Sequence, residues 1–326
     1  MTAMAMMSDG APLLLAVVGP TATGKSALGI DLAERFDGEV ISCDSTAVYR
    51  GFDIGTDKVP QADRRGIPHH LVDVADPQEV YSAARYAREA TAAIRGVTAR
   101  GRLPILVGGT GLYFRALTRG LFAGPGRDGA LRDRLRRIGE RHGLDRLHRL
   151  VRQVDPASAD RIHARDEKRL IRALEVYYLT GEPLTHHFAQ TQSPLAGYTV
   201  AGIGLRQTSE RTADKVARRV EAQFAAGLLD EIRALRAAGV PDTASPFGGM
   251  VYRQALAFLN GVGDEAGARD EIVRANRRYA RRQLIWFRKE PNLQWIQVDD
   301  GPAQVADSAV RIIHERARQR SARLAP

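Results

Sequence analysis

The sequence is poor in cysteine and contains no long apolar segment. Cys43 is the only cysteine among 326 residues, which excludes disulfides, zinc knuckles and iron–sulfur clusters built from this chain alone. No apolar stretch approaches the roughly 20 residues that are needed to cross a bilayer, so we expect no membrane partner. Residues 1–12 lack a basic start and a cleavage-type site, and we interpret them as a frayed terminus rather than a signal peptide. The expected location is the cytoplasm.

Acidic residues are fewer than basic ones. The chain has 48 Lys and Arg against 38 Asp and Glu, which gives a net charge of +10. Such a charge is high for an enzyme of small metabolites, and it raises the affinity for polyanions such as nucleic acids. The base composition of the genome would explain the choice of arginine over lysine, but not the excess of positive charge. The hydrophobic content of 44% is sufficient for a substantial core.

Residues 19–26 match the phosphate-loop pattern G-x-x-x-x-G-K-[ST]. The loop consists of Gly19, Pro20, Thr21, Ala22, Thr23, Gly24, Lys25 and Ser26. An apolar run at 13–18 predicts a buried strand before the loop, and the pattern at 27–36 predicts a helix after it. A strand that turns through glycines into a helix directs backbone N–H groups at one spot, which binds polyphosphate. Lys25 would reach the outer phosphates and Ser26 would hold Mg²⁺, but the loop leaves open what is done with the ligand.

The first third of the chain alternates between predicted strands and helices. Further strands are predicted at 39–43, 70–74 and 103–107, and a helix at 82–95. Together with the first strand they indicate a parallel, doubly wound α/β sheet whose loops gather at the carboxyl ends of the strands. The expected fold class is therefore a P-loop NTPase-like parallel sheet flanked by helices.

The pattern of the sequence changes near residue 120, where the alternation of strands and helices ends. A Gly-Pro-Gly turn at 124–126 precedes arginine-rich helical stretches, including a predicted helix at 167–180, and strand pattern returns at 198–205. We therefore expect residues 1–122 and 197–326 to form one core domain, split by a helical insertion at 123–196. Helices at 211–226, 228–238 and 271–289 and a strand at 292–298 complete the predicted core.

Asp44 follows the second predicted strand and would lie beside the phosphate loop. Its carboxylate could hold Mg²⁺ through water, act as a general base toward an acceptor, or only cap the next turn. The spacing does not choose among these roles. The predicted strand at 103–107 ends in Gly-Gly-Thr-Gly at 108–111, so no second acidic candidate is evident there. We expect these small residues to leave open space for a bulky acceptor.

Several other residues have simpler structural interpretations. His69 and His70 are expected to be turn and core residues, because no ligand-type partner lies at metal-binding spacing. Cys43 is expected to be a small buried hydrophobe. Arginines at 277–282 fit either RNA contact or the solvated face of a helix that buries Tyr279, Ile285 and Trp286 on its other side.

An ordered set of motifs resembles the tRNA dimethylallyltransferases, also called tRNA isopentenyltransferases. The motifs are GPTATGKS (19–26), ISCDS (41–45), GFDIGT (51–56), PHHLVD (68–73), VGGTGLY (107–113), RLIRALE (169–175) and RYARRQLIWF (278–287). They occur in family order from about residue 14 to residue 295. The chain resembles the bacterial type, because the C-terminal zinc finger of eukaryotic members is absent. It departs from the family at 250–254 and at Lys215, where the family usually has arginine.

The resemblance implies transfer of a dimethylallyl group from dimethylallyl diphosphate to N6 of adenosine 37 in tRNAs that read codons beginning with U. It implies that Lys25, Ser26 with Mg²⁺ and Arg219 act on the diphosphate, and that Asp44 is the general base. The unactivated adenine amine is a poor nucleophile, so a base is chemically required. Arg219 could also be an ordinary surface charge. The implied contacts with the tRNA anticodon stem-loop are Asp44, Ser45, Thr46, Ala47, Thr110, Lys168, Arg169, Leu170, Ile171, Arg172 and Arg253. We expect a monomer.

Two other functional classes remain to be considered. A P-loop kinase would use ATP and would need a nucleotide-dependent lid and a second acidic Mg²⁺ site. A non-catalytic, nucleotide-regulated RNA-binding protein would leave Asp44 and the Gly-Gly-Thr-Gly segment without a purpose. Labelled donor and labelled ATP would separate these classes.

Overall fold

The computed structural model describes residues 11–122 and 124–322. The chain divides into two compact units, one combining residues up to Thr118 with those from Leu195 onward, the other spanning Arg119–Pro194. Residues 1–10, which make up most of the segment interpreted as a frayed start, lie outside the described residues, as does position 123, where the insertion was expected to begin. Within the described ranges, no helix is both long and apolar enough to cross a bilayer.

A six-stranded parallel sheet forms the centre of the first unit. Its strands are β1 (Leu13–Val18), β2 (Gly38–Cys43), β3 (His69–His70), β4 (Leu103–Gly108), β5 (Thr199–Arg206) and β6 (Leu293–Gln297). The order across the sheet is β3-β2-β4-β1-β5-β6. Val18 pairs with Gly108 on β4 and with Gly204 on β5, and Gly108 pairs with Cys43 on β2. The carboxyl ends of these strands therefore meet at one edge of the sheet.

Both faces of the sheet are covered, which is why β1 has no polar residue. Leu14, Ala16 and Val18 face one apolar cluster, and Leu13, Leu15 and Val17 face the other, all nearly inaccessible to solvent. Alternating directions along a strand together with two covered faces produce the unbroken apolar run. The α/β fold class predicted from the sequence is confirmed.

Eight helices are described in this unit. They are α1 (Lys25–Arg35), α2 (Ala83–Ala99), α3 (Gly111–Thr118), α9 (Ser209–Ala225), α10 (Leu228–Ala237), α11 (Met250–Leu259), α12 (Glu265–Phe287) and α13 (Pro302–Ala322). Short 3₁₀ turns occur at Gln61–Arg64, Ser245–Gly248 and Val298–Asp300. The segments that form α3, α11 and α13 carried no helix prediction. α12 begins six residues before its predicted start, because the Asp264 side chain accepts a hydrogen bond from the Gly267 N–H and caps the helix.

The second unit is helical. It contains α4 (Gly129–His142), α5 (Leu144–Val154), α6 (Pro156–Arg161), α7 (Glu167–Thr180) and α8 (Leu184–Ala189). Its apolar core includes Leu135, Leu147 and Leu174. The fully buried Glu175 carboxylate accepts hydrogen bonds from Arg132 Nε at 2.7 Å and Arg172 Nη1 at 2.7 Å. The Arg132–Glu175 pair links α4 to α7, whereas the Arg172–Glu175 pair lies within α7.

The predicted strand at 70–74 is wrong beyond its first residue. β3 ends at His70, because Leu71 and Asp73 adopt left-handed backbone conformations with φ of 61° and 58°. Extended pairing cannot continue through such residues. The segment turns away from the sheet instead, and Val72 lines the cavity described below.

Candidate active site

The phosphate loop connects β1 to α1, and two of its positions require glycine. Gly24 has a φ of 85°, in the left-handed region that L side chains rarely adopt. A side chain at Gly19 would collide with the Leu205 carbonyl oxygen of β5. The Thr23 hydroxyl donates to the Pro20 carbonyl at 2.9 Å inside the loop. The sequence motif therefore reports a specific backbone shape.

Lys25 begins α1 and points back over the loop. Its Nζ donates to the Pro20 carbonyl oxygen at 2.6 Å. The pKa of Lys25 is lowered to about 8, mainly by burial and in addition by the nearby positive charge of Arg219. A bound anion would supply the negative charge that this ammonium group lacks.

A cavity of about 230 Å³ opens at the carboxyl edge of the sheet, within the first unit. The sequence-predicted residues that line it are Thr21, Ala22, Gly24, Lys25, Ser26, Asp44, Ala47 and Arg219. Gly19, Pro20, Thr23, Ser45, Thr46, Thr110 and Arg253 are not among its lining residues. The phosphate loop, the carboxylate after β2 and the arginine of α9 thus surround one space.

Asp44 caps the turn that follows β2. Its Oδ1 accepts hydrogen bonds from the Thr46 N–H at 2.8 Å, the Thr46 hydroxyl at 2.7 Å and the Ala47 N–H at 3.3 Å. Oδ2 makes no hydrogen bond to the described part of the chain. The turn-capping role is therefore present, and the second carboxylate oxygen is available to a ligand in the cavity.

Thr110 ties this turn to the start of α3. Its hydroxyl oxygen accepts a hydrogen bond from the Ser45 N–H at 3.0 Å, and its N–H donates to the Cys43 carbonyl at 3.1 Å. The adjacent Ala47 lines the cavity. Of the residues implied in nucleotide contact by the family resemblance, Ser45 and Ala47 therefore lie in the turn at Asp44, and Thr110 is hydrogen-bonded to that turn.

The Gly-Gly-Thr-Gly segment borders open space at Gly108 and Gly109, which line the cavity, but its glycines are also required by packing. A side chain at Gly108 would collide with the Cys43 carbonyl, one at Gly109 with the Gln283 amide, and one at Gly111 with the Trp286 ring. These glycines are required by close packing of β4 and α3 against their neighbours.

Arg219 lines the cavity, so it is not an ordinary surface charge. Its Nη1 donates to the Thr21 hydroxyl at 2.9 Å and lies 3.0 Å from Asp57 Oδ2. Asp57 also lines the cavity, so the expectation of no second acidic candidate is wrong. Burial raises the pKa of Asp57, and the charge of Arg219 opposes that rise. No local motif marked Asp57, because its position depends on packing against a helix more than 160 residues away.

α12 contributes two further residues that were not predicted to lie in the site. Gln283 accepts a hydrogen bond from the Thr21 N–H at 2.8 Å and donates to the Gly109 carbonyl at 2.8 Å. Tyr279 lines the cavity, and burial together with the negative charge of Asp44 raises its pKa to about 12. In RYARRQLIWF the glutamine follows this tyrosine by four residues, which places the two on one helical face, but the motif does not show that this face meets the phosphate loop.

The other interpretations made from sequence have mixed outcomes. Cys43 is buried, and burial raises the pKa of its thiol to about 12. His69 Nδ1 lies 2.8 Å from the Ile67 carbonyl, and His70 Nε2 lies 2.6 Å from Glu39 Oε2. Ile285 was expected to be buried, but it is 46% exposed. Trp286 is half-buried.

The predicted tRNA contacts on α7 have different environments within the helical unit. Lys168 and Arg169 are exposed. Leu170 and Ile171 lie in the apolar core of this unit, so we correct their assignment from RNA contact to packing. Arg172 donates to Glu175 at 2.7 Å and to the Pro125 carbonyl at 3.2 Å, so it already has structural partners.

Two more predicted positions lie in the first unit. Arg253 on α11 is exposed and makes no hydrogen bond or ion pair within residues 11–122 and 124–322. Lys215, where the family usually has arginine, donates to Gln207 at 3.1 Å, and Gln207 donates to the Ala22 carbonyl at 3.2 Å. The lysine therefore supports the phosphate loop through one intermediate side chain.

The parallel sheet and its phosphate loop define an α/β protein of P-loop-like architecture. A family model described as IPP transferase matches residues 47–290. The tRNA dimethylallyltransferase of Solibacter usitatus is 46% identical over 301 residues, covering 91% of this chain and 96% of the relative. The tRNA dimethylallyltransferase of Koribacter versatilis is 42% identical, covering 94% and 99%. The chain belongs to the IPP transferase family, and the resemblance inferred from the motifs is confirmed.

Solved structures agree with this assignment. The full-length tRNA isopentenylpyrophosphate transferase of Bacillus halodurans superposes with a TM-score of 0.70 at 37% identity, covering 95% of this chain and 98% of that one. A eukaryotic dimethylallyltransferase acting on tRNA gives a TM-score of 0.76 at 27% identity, covering 92% and 77%. The prediction of a tRNA-modifying prenyltransferase is confirmed at the level of the family.

Proposed function

We propose that the enzyme transfers the dimethylallyl group of dimethylallyl diphosphate to N6 of adenosine 37, in tRNAs that read codons beginning with U. The products are the N6-dimethylallyl adenosine and diphosphate. One observation carries the proposal: Lys25, Ser26, Arg219 and Asp44 line the same cavity. The site thus combines groups suited to binding a diphosphate with a carboxylate able to accept a proton.

The phosphate loop and Arg219 are suited to a diphosphate leaving group. Negative charge grows on the leaving oxygen as the allylic C–O bond breaks. Backbone N–H groups at the start of α1, the Lys25 ammonium and the Arg219 guanidinium would stabilise that charge. Because these donors are held in place before the reaction, little reorganisation is required when the charge develops.

The residues of the site fit a magnesium ion held mainly by its ligand. Mg²⁺ in phosphate sites takes phosphate oxygens, waters and one or two protein oxygens. Ser26 is exposed at the start of α1, and it lines the same cavity as the carboxylates Asp44 and Asp57. We assign Ser26 as the protein ligand. When bound, the ion would offset negative charge on the diphosphate oxygens.

Asp44 is our candidate for the general base. The lone pair of the adenine amine is delocalised into the ring, which makes the amine a poor nucleophile. A base that takes up its proton as the new C–N bond forms therefore assists the attack. The hydrogen bonds from Thr46 and Ala47 fix the carboxylate through Oδ1. Oδ2 would then accept the proton without a rearrangement of the turn.

The acceptor adenosine has to leave the anticodon-loop stack in order to reach an enclosed site. Ser45, Thr46, Ala47 and Thr110 are proposed to contact the target nucleotide. Lys168, Arg169 and Arg253 are proposed to contact tRNA phosphates and base edges, because they are exposed cations. Arg172 would act indirectly, through Glu175. We also propose that the enzyme acts as a monomer in the cytoplasm.

Incubation with bulk tRNA and labelled dimethylallyl diphosphate tests the proposal. We expect label in tRNA and release of one diphosphate for each group transferred. A parallel reaction with γ-labelled ATP covers the kinase alternative, for which Asp57 supplies the second carboxylate that the sequence did not reveal. Transfer of phosphate in place of the prenyl group, or no transfer to tRNA, would contradict the proposal.

A further inference from the structure

Asp57 is connected to the cavity arginine and is itself held firmly. Its Oδ2 lies 3.0 Å from Arg219 Nη1, and its Oδ1 accepts a hydrogen bond from Gln223 Nε2 at 3.0 Å. The same Gln223 nitrogen lies 3.3 Å from the Ile54 carbonyl oxygen and donates to it. Gln223 is buried, so the carboxylate position is fixed from the side facing the protein.

Arg219 is fixed through only one of its nitrogens. Nη1 serves both Asp57 and the Thr21 hydroxyl, whereas Nε and Nη2 make no hydrogen bond with the rest of the described chain. The side chain is 34% exposed and lines the cavity. An arginine held at one nitrogen retains a second N–H edge in a defined orientation, which can bind a phosphate group with two parallel hydrogen bonds.

We propose that Asp57 is a positioning residue, which orients Arg219 so that its free edge binds the diphosphate leaving group. The expected effect on transfer rests on the proposed function, whereas the expected effect on diphosphate binding does not. Asp57 does not touch the reacting atoms in this assignment. It acts through Arg219, so its contribution should disappear when Arg219 is removed.

The test is a double-mutant cycle of wild type, Asp57→Asn, Arg219→Ala and the double variant. Asparagine keeps the size of the side chain and tolerates the φ of 54° at this position, so the turn should persist. The cycle is measured on the single-turnover rate of transfer and on the binding of inorganic diphosphate with Mg²⁺ present. Single turnover excludes product release from the rate.

We expect Asp57→Asn to slow transfer about tenfold when Arg219 is present and less than about twofold when it is absent. Asp57→Asn should also weaken diphosphate binding, and the factor should be at least about threefold larger when Arg219 is present than when it is absent. This comparison also separates positioning from simple repulsion between the carboxylate and the ligand, because repulsion would persist in the Arg219→Ala background.

Asp37→Asn is the matched control. Asp37 also has a left-handed φ, of 48°, and pairs with an arginine, Arg102, at 3.4 Å, but it does not line the cavity. Its substitution should leave both measurements unchanged. Equal effects of Asp57→Asn in the two backgrounds, or a wild-type transfer rate in that variant, would overturn the inference. Absence of transfer by the wild type would refute the proposed function alone, and the diphosphate cycle would still decide the role of Asp57.

Discussion

Donor affinity should fall as the pH rises through the pKa of Lys25. In the free enzyme this pKa is about 8, because the ammonium group is buried and lies near Arg219. Bound diphosphate supplies negative charge and should raise the pKa well above that value. Binding above pH 8 must therefore take up a proton. With a free-state pKa of 8, the affinity should decrease about 25-fold between pH 7.5 and pH 9.5.

Calorimetric titration with dimethylallyl diphosphate over this range measures the effect. The terminal phosphate loses its last proton near pH 6, so the donor's own charge is nearly constant. Titrations at pH 8 in two buffers of different ionisation enthalpy should reveal an uptake of about half a proton. Lys25→Arg is the control. Because arginine stays charged throughout this range, the donor affinity of the variant should not change with pH. A wild-type affinity that does not change with pH would refute this account of Lys25.

Three further predictions concern the carboxylates and the exposed cations. Asp44→Ala should lower the single-turnover transfer rate by at least about 10²-fold with nearly unchanged diphosphate affinity, and a near wild-type rate would remove Asp44 from the mechanism. Replacing Lys168 and Arg169 by Ala should reduce the salt dependence of tRNA binding and raise the KM for tRNA, and an unchanged slope would place these side chains away from the RNA. Glu175→Gln should cost about 3 kcal/mol in denaturant-induced unfolding at pH 7, because the arginine hydrogen bonds lower the pKa of the buried Glu175 from 4.5 to about 2. That contribution exists above pH 4.5 and is lost as the pH falls toward 2, so a gap between the two proteins that stays constant down to pH 2 would contradict it.

Local sequence signals predicted the parts of the site that depend on neighbouring residues. The phosphate loop is one continuous segment whose glycines permit its backbone shape, so Lys25 and Ser26 were predicted directly before a helix at 27–36, and they form the first two residues of that helix. The same holds for the turn at Asp44, where the aspartate accepts hydrogen bonds from the N–H groups two and three residues later, those of Thr46 and Ala47. The parallel sheet followed from the alternation of apolar strands and amphipathic helices.

Residues brought to the site by long-range packing could not be found in this way. Gln283 contacts Thr21 across 262 positions of sequence, and Gln223 contacts Asp57 across 166. No short pattern encodes these contacts. β3 was overestimated because left-handed residues at 71 and 73 leave no trace in hydrophobic periodicity.

The assignment of Leu170 and Ile171 to RNA contact failed for a different reason. A motif shared with a family identifies a stretch of helix, but only some of its faces can meet a ligand. Leu170 and Leu174 are four residues apart and share the buried face of α7. That spacing is visible in the sequence and separates the packing residues of the motif from its exposed cations.

The most direct test of the central claim compares two anticodon stem-loops that differ only in having adenosine or guanosine at position 37. Each is incubated with labelled dimethylallyl diphosphate and Mg²⁺, and the nucleosides are separated after digestion. We predict that the adenosine-37 substrate alone gains label, on N6, with one diphosphate released for each group transferred. Equal labelling of both stem-loops, or diphosphate release without labelled nucleoside, would contradict the assignment of this cavity to prenyl transfer onto adenosine 37.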